Sequence, residues 1–231
     1  MIGDLHCHTT LSDGSLGIED IIVQAKKTGI DFISITDHDT MSSINRAKVL
    51  GERYGVQTIP GVELSAWDKK RNRKVHILCY APQKPDRLEG LCIKSCEIRR
   101  KCAAEMLENV MKLYTITAES VMKHATGSKS IFKQHIMHAL IEYGYTTHFY
   151  GKLNHKLFNH ENGTCIVERE YPDVNFVLDL IHSSKGVAVM AHPMMYDSAE
   201  LLEELAQSGK IDGIEAYHYS ATEEQQQKLC E

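Results

Sequence analysis

An α/β fold, barrel-like and interrupted by a helical insertion, is predicted by three features of this chain. Short apolar runs alternate with segments of helical periodicity at both ends of the sequence. Most of those runs stop at an imidazole or a carboxylate. Between them lies a long stretch rich in Lys, Arg and Glu, with helical spacing and no clear parallel-strand signal.

Met1–Leu5 is apolar, reads as the first strand and stops at His6. Ile18, Ile21, Ile22 and Ala25 share one helical face, so 18–28 is a helix that ends at Gly29. Phe32–Ile35 is a buried strand. Met41–Tyr54 is a helix closed by Gly55, with Asp39 or Thr40 expected as its N-cap. Gln57–Val62 and Val75–Tyr80 are the third and fourth strands, joined by a charged, exposed connection at 68–74. This order implies parallel strands with crossover helices. Leu88–Tyr114, Thr117–His124 and Ser130–Tyr143 read as insertion helices. The alternation then resumes with helix Val174–Ser183, strand Val187–Ala191, helix Ser198–Gln207 and strand Ile211–Ala216. Residues 1–84 and 172–231 are thus expected to form the barrel, and 85–171 an insertion over its mouth. Six strands are too few for an eight-unit barrel.

With 231 residues the chain suits one large domain, or one domain with an insertion, and needs no disulfide staples. A net charge of −5 provides no broad basic field, which argues against duplex DNA as a partner. No apolar run is long enough to span a membrane. Seven cysteines with no C-x-x-C pair suit reduced thiols and a cytoplasmic location. Cys7, between two histidines on a strand, is expected to face the core.

The chemistry gathers at strand ends, where parallel α/β folds bind ligands. His6 and His8 are two apart and share one strand face. Asp13 follows in a Ser-Asp-Gly turn. Asp37 and His38 end strand two, Glu63 ends strand three and His192 ends strand five. His76 lies at the start of strand four or along it, which strains the rule. Each cluster alone has an ordinary explanation; together, at neighbouring strand ends, they indicate a metal centre. Imidazoles beside carboxylates suit Zn²⁺, Mn²⁺ or Fe²⁺, and such a cluster can polarise a phosphoryl oxygen and activate water.

The segments DLHCHTTLSDGSL, ISITDHDT, IPGVELSA, HILCYAP, GVAVMAHPMMY and DGIEAY, in this order, resemble the polymerase-and-histidinol-phosphatase (PHP) superfamily, and more narrowly its nucleotide-phosphatase and 5′-to-3′ exoribonuclease branch. The likeness covers about 1–82 and 172–219. It implies a distorted (β/α)7 barrel with a helical insertion, up to three divalent ions, manganese first and zinc or iron next, and hydrolysis of phosphate from a small nucleotide or a short RNA end. It assigns one ion to His6, His8 and Glu63, a second to Glu63, His76 and His192, and a third to Asp13 and His38. Asp37 or His38 would steady the site, and His192 would orient water. On the insertion, Lys133 and His135 would contact phosphate, with Arg99 and Arg100 weaker candidates. The family usually continues to a Gly-Ser-Asp-x-His motif on a seventh strand, which is missing before Glu231. The chain is therefore expected to be a piece of a longer gene product rather than a degenerate member. Two alternatives follow: a non-catalytic PHP domain holding one ion, and a histidinol-phosphate phosphatase.

Overall fold

A computed structural model describes residues 1–230. One sheet of six strands, in the order β1 to β6, curls into a half-barrel. β1 (Gly3–Cys7), α1 (Ile18–Thr28), β2 (Phe32–Ile35), α2 (Ile44–Tyr54) and β3 (Gln57–Asp68) make two successive steps of strand, crossover helix and parallel strand. α1 stops at Gly29 and α2 at Gly55, both in the left-handed conformation that glycine enters without a Cβ penalty.

The parallel pattern then breaks. β3 turns back at Lys69–Asn72 into β4 (Arg73–Tyr80), and this pair is antiparallel; β4 with β5 (Val187–Met190) is antiparallel too. The expectation of parallel strands therefore fails for β4. The reason is the short connection: a tight turn can join antiparallel neighbours, whereas a parallel return needs a crossover of a dozen residues or more. β3 also runs six residues past Val62, because its alternating side chains find cover on both faces. The last strand, β6 (Gly213–Ile214), pairs parallel to β5 and is much shorter than the apolar run suggested.

That alternation sorts the sheet. Val62, Leu64, Ala66, Val75, Ile77 and Cys79 face outward into a core shared with Leu88 and Leu91 of α3 (Asp86–Leu113), with α7 (Val174–Ser183) and with α8 (Ala199–Gln207). Glu63, Ser65, His76 and Leu78 occupy the opposite face and are equally buried. A smaller core packs α1, β2 and α2 through Ile22, Ile33, Ile35 and Leu50, with Cys7 against it as expected.

The helical section has its own core. The second half of α3, α4 (Ala118–His124), α5 (Lys133–Glu142) and α6 (Lys152–Phe158) converge through Val110, Val121, Ile136, Leu140 and Leu157. Thr117 caps α4 by accepting from the Ser120 N–H at 3.1 Å. α6 lies in a segment whose polarity hides its helical spacing. The exposed helix α9 (Glu223–Cys230) closes the described residues.

One capping expectation is overturned. α2 begins at Ile44, not Met41, and neither Asp39 nor Thr40 caps it. The Asp39 carboxylate instead accepts from Ser65 N and Oγ at 2.9 Å each, and pairs with Arg99 of α3.

Candidate metal centre

Glu63 stands at the middle of the inner face, almost completely buried. Five imidazoles surround its carboxylate. His76 Nδ1 is 2.6 Å and His192 Nε2 2.9 Å from Oε1. His38 Nδ1, His8 Nε2 and His6 Nε2 are 2.9, 3.1 and 3.3 Å from Oε2. Asp13 completes the rim, 3.5 Å from His8 Nδ1 and 3.7 Å from His38 Nε2.

Local structure explains each placement. His6 and His8 leave β1 on one face. The following turn brings Asp13 back beside His8, so tightly that a Cβ on Gly14 would lie 2.2 Å from the His8 carbonyl oxygen. His38, just past β2, forms a parallel bridge to Glu63. His76 is in the middle of β4, opposite Ser65. It reaches the centre because β4 runs against its neighbours, which removes the strand-end anomaly seen in the sequence. His192 has φ +27°, a conformation that costs a non-glycine residue energy, and its N–H is held by Glu215 Oε2 at 2.7 Å.

The donor set fits a divalent cation. Glu63 Oε2, His38 Nδ1, both nitrogens of His76 and His192 Nδ1 are buried with no hydrogen-bond partner. Buried polar atoms are normally satisfied, and such a crowd of them needs a cause. Several imidazole nitrogens approach Glu63 Oε2 without pointing a hydrogen at it, the arrangement expected when lone pairs converge on a cation. Ligand atoms within 4.8 Å of one another form two sets, His6–Glu63–His192 and His8–His38–Glu63. Glu63 belongs to both, so it is placed to bridge.

The electrostatics agree. Burial alone would raise the Glu63 carboxyl; His38, His76 and His192 hold it well below the usual range. Burial opposes charge on His6, yet the carboxylates of Glu215 and Glu63 push its imidazole up to about 10, so a cation held there would displace a proton from it. Burial keeps His76 well below its ordinary value, and therefore neutral, as a ligand must be.

The other candidates are placed differently. Asp37 is fully buried beneath the rim. It accepts from Thr9 N and Oγ1 at 2.7 Å each and from Ser12 Oγ at 2.6 Å, so its carboxylate holds the loop between His8 and Asp13 and does not face the opening. His135 Nδ1 accepts from the Phe132 N–H at 3.1 Å and covers the start of α5. Burial pushes its imidazole down to about 4. Lys133 donates to the Phe158 carbonyl at 3.2 Å. Arg100 is exposed, bonds the Cys96 carbonyl of its own helix, and is not brought to the centre. Its neighbour Arg99 turns inward, since adjacent helix residues point about 100° apart.

Sequence reasoning missed Glu215. Its Oε1 is 3.0 Å from His6 Nδ1 and its Oε2 accepts from the His192 backbone N–H, so it fixes the His6 ring and the backbone that carries His192 at once. The signal was available, because Glu215 follows directly on β6. Tyr196 was missed too; its ring meets His76 and His192 edge-on, at 5.3 and 5.5 Å. His218 also approaches, with its ring 5.0 Å from that of His192.

The PHP domain model matches residues 4–210. The chain belongs to the PHP domain family. It is 36% identical to a phosphoribosyl 1,2-cyclic phosphate 1,2-diphosphodiesterase of Eggerthella lenta over 94% of this chain and 83% of that protein. It is 27% identical to a 5′-3′ exoribonuclease of Haemophilus influenzae, over 98% of this chain and 83% of the relative. A 3′,5′-nucleoside bisphosphate phosphatase of Chromobacterium violaceum is 26% identical over 87% of this chain and 70% of its own length. Among solved structures, a Bifidobacterium adolescentis protein assigned as a metal-dependent phosphoesterase superposes with a TM-score of 0.89 at 25% identity, covering 99% of this chain and 81% of that one. The fold, the donor set and these relatives together place the chain among the metal-dependent phosphoesterases.

Proposed function

We propose that this chain hydrolyses phosphate esters of small phosphorylated sugars or nucleotides, or of a short RNA end, at the centre formed by His6, His8, Asp13, His38, Glu63, His76 and His192. The observation that carries this reading is the buried Glu63 carboxylate with five imidazoles aimed at it and its Oε2 left without a hydrogen bond. Two or three divalent ions in that set, manganese by preference and zinc or iron as alternatives, would polarise the phosphoryl oxygens and acidify the attacking water.

The chain's own residues prepare the place for this. Glu215 orients His6 and His192, and Asp37 keeps Asp13 and His8 in register through the loop that it ties down. Residues 85–171 form the cover over a barrel made of 1–84 and 172–231. Three contacts support this: Lys129 N to Leu11 O at 2.9 Å, Ser128 Oγ to Ser12 O at 2.7 Å, and Gln134 Nε2 to Asp13 Oδ2 at 2.9 Å. All seven cysteines are free thiols, which supports a cytoplasmic location, and no helix among the described residues is long and apolar enough to cross a membrane. The net charge of −5 favours a small substrate over duplex DNA.

Phosphate release is measured with Mn²⁺ on a 3′,5′-nucleoside bisphosphate and on a phosphoribosyl cyclic phosphate, for the wild type and for His8→Ala. A fall of about 100-fold or more in the variant is expected. Equal rates for the two proteins, or no release by the wild type from either compound, overturn the proposal.

A further inference from the structure

A second cluster lies directly beside the metal centre and takes no part in holding it. Lys74 sits two residues before His76 on β4, on the same inward face. Its Nζ is 3.1 Å from the Tyr196 hydroxyl, and the Tyr196 ring rests on His76 and His192. Arg169, from the segment that returns from the helical section to the barrel, lies over the Tyr171 ring at 4.2 Å. Lys74 lies over the same ring at 5.7 Å. Tyr171 in turn stacks on Trp67 at 5.5 Å.

These cations lack acids. Among the described residues neither Lys74 nor Arg169 has a carboxylate within 4.0 Å. Asp39, the buried acid whose field Arg169 reaches, is already bound by Arg99 and Ser65. Lys133 is close enough that, after burial, Lys74 and Arg169 help to push its ammonium down to about 8. Crowding like charges in a corner partly screened from water is unfavourable unless something negative enters. The aromatic faces of Tyr171 and Tyr196 soften that cost.

We propose that Lys74 and Arg169, with the Tyr196 hydroxyl, form a subsite for a second, non-reacting phosphate of the substrate. The subsite rests on the proposed hydrolysis and narrows it. Side chains two apart on one strand face are about 7 Å apart, so the bound phosphate would stand roughly that far from the reacting one. The substrate class is then a phosphorylated sugar or nucleotide with two phosphate groups across one ribose, or an RNA end in which successive phosphates play those parts. Arg169 supplies a fork that matches a phosphate and Lys74 a point charge.

Trp67 is the single tryptophan of the chain and stacks against the cluster, so its fluorescence reports on it. Inorganic phosphate is titrated into the metal-free protein in EDTA, for the wild type, K74Q, R169Q and K74R. The expected result is a saturable change in the wild type and a midpoint about tenfold or more weaker in K74Q and R169Q, the loss of one charge-assisted bond. K74R, which keeps the charge, recovers most of the affinity. Far-ultraviolet circular dichroism checks that each variant is folded. An unsaturable signal in the wild type, or midpoints in K74Q and R169Q equal to that of the wild type, overturns the subsite. Because the titration needs no turnover, its failure is distinct from failure of the hydrolysis: saturable binding in a protein that releases no phosphate removes the reaction and leaves the subsite standing.

Discussion

At the scale of single residues, the centre depends on groups that never touch a ligand. Asp37 is fully buried and both its oxygens accept from Thr9 and Ser12, so its carboxylate is turned away from a substrate. Its effect must pass through the loop carrying His8 and Asp13. Asp37→Asn is expected to weaken divalent-ion binding by about 10–100-fold, the usual cost of losing an outer partner of a ligand. Competition with a chelating dye measures it. Unchanged ion affinity, with activity lost, would instead make Asp37 a catalytic group in contact with the reactants. Most of the side chains that gather around Glu63 were visible in the sequence because each occupies a recognisable spot after an apolar run. Glu215 and Tyr196 were not singled out. A lone Glu after a two-residue strand and a Tyr in a short turn look ordinary until the fold closes, and only then do they meet His6, His192 and His76.

At the scale of elements, α3 joins the two halves of the molecule. Leu88 and Leu91 at its start pack under the sheet, while Met106 and Val110 near its end belong to the helical core. Arg99 sits between, paired with the buried Asp39 just after His38. Arg99→Met strands that carboxylate and is expected to destabilise the fold by about 3–5 kcal/mol. The double change Arg99→Met with Asp39→Asn should recover part of the loss. Urea unfolding of the single and double variants reads both values, and a single variant as stable as the wild type would remove the pair from any role in joining α3 to the barrel. The helix itself was legible from its spacing. The Asp39–Arg99 pair was not, because local chemistry favours Asp39 as a cap for the next helix. The left-handed turn at Asp39 points the carboxylate away from that helix and toward Ser65 and α3.

At the scale of the whole molecule, metal and fold are coupled. Five imidazoles and three acids from β1, β2, β3, β4, the turn after β5 and the end of β6 meet at one point. Without a cation that point holds buried polar atoms with no partners. Ions that bind only the folded state stabilise it by about 2.7 kcal/mol at a hundred times their dissociation constant. For a chain of this size, EDTA should therefore lower the midpoint of thermal unfolding by roughly 5–10 °C relative to saturating Mn²⁺. Differential scanning fluorimetry tests this, and identical midpoints in the two conditions would count against a cation shared among so many strands.

The sequence by itself determined the α/β class, three of the helices between 85 and 171 and most of the side chains that meet around Glu63. These follow from short-range rules: hydrophobic period, glycine stops, and polar groups placed where a strand ends. Only the tertiary structure decided that β4 runs antiparallel to both its neighbours, that Glu63 is shared by both candidate ligand sets, and that Lys74, Arg169 and Tyr196 form one cluster. Strand direction and the meeting of distant side chains depend on chain return and packing over many residues. No window of sequence short enough to show a period contains that information.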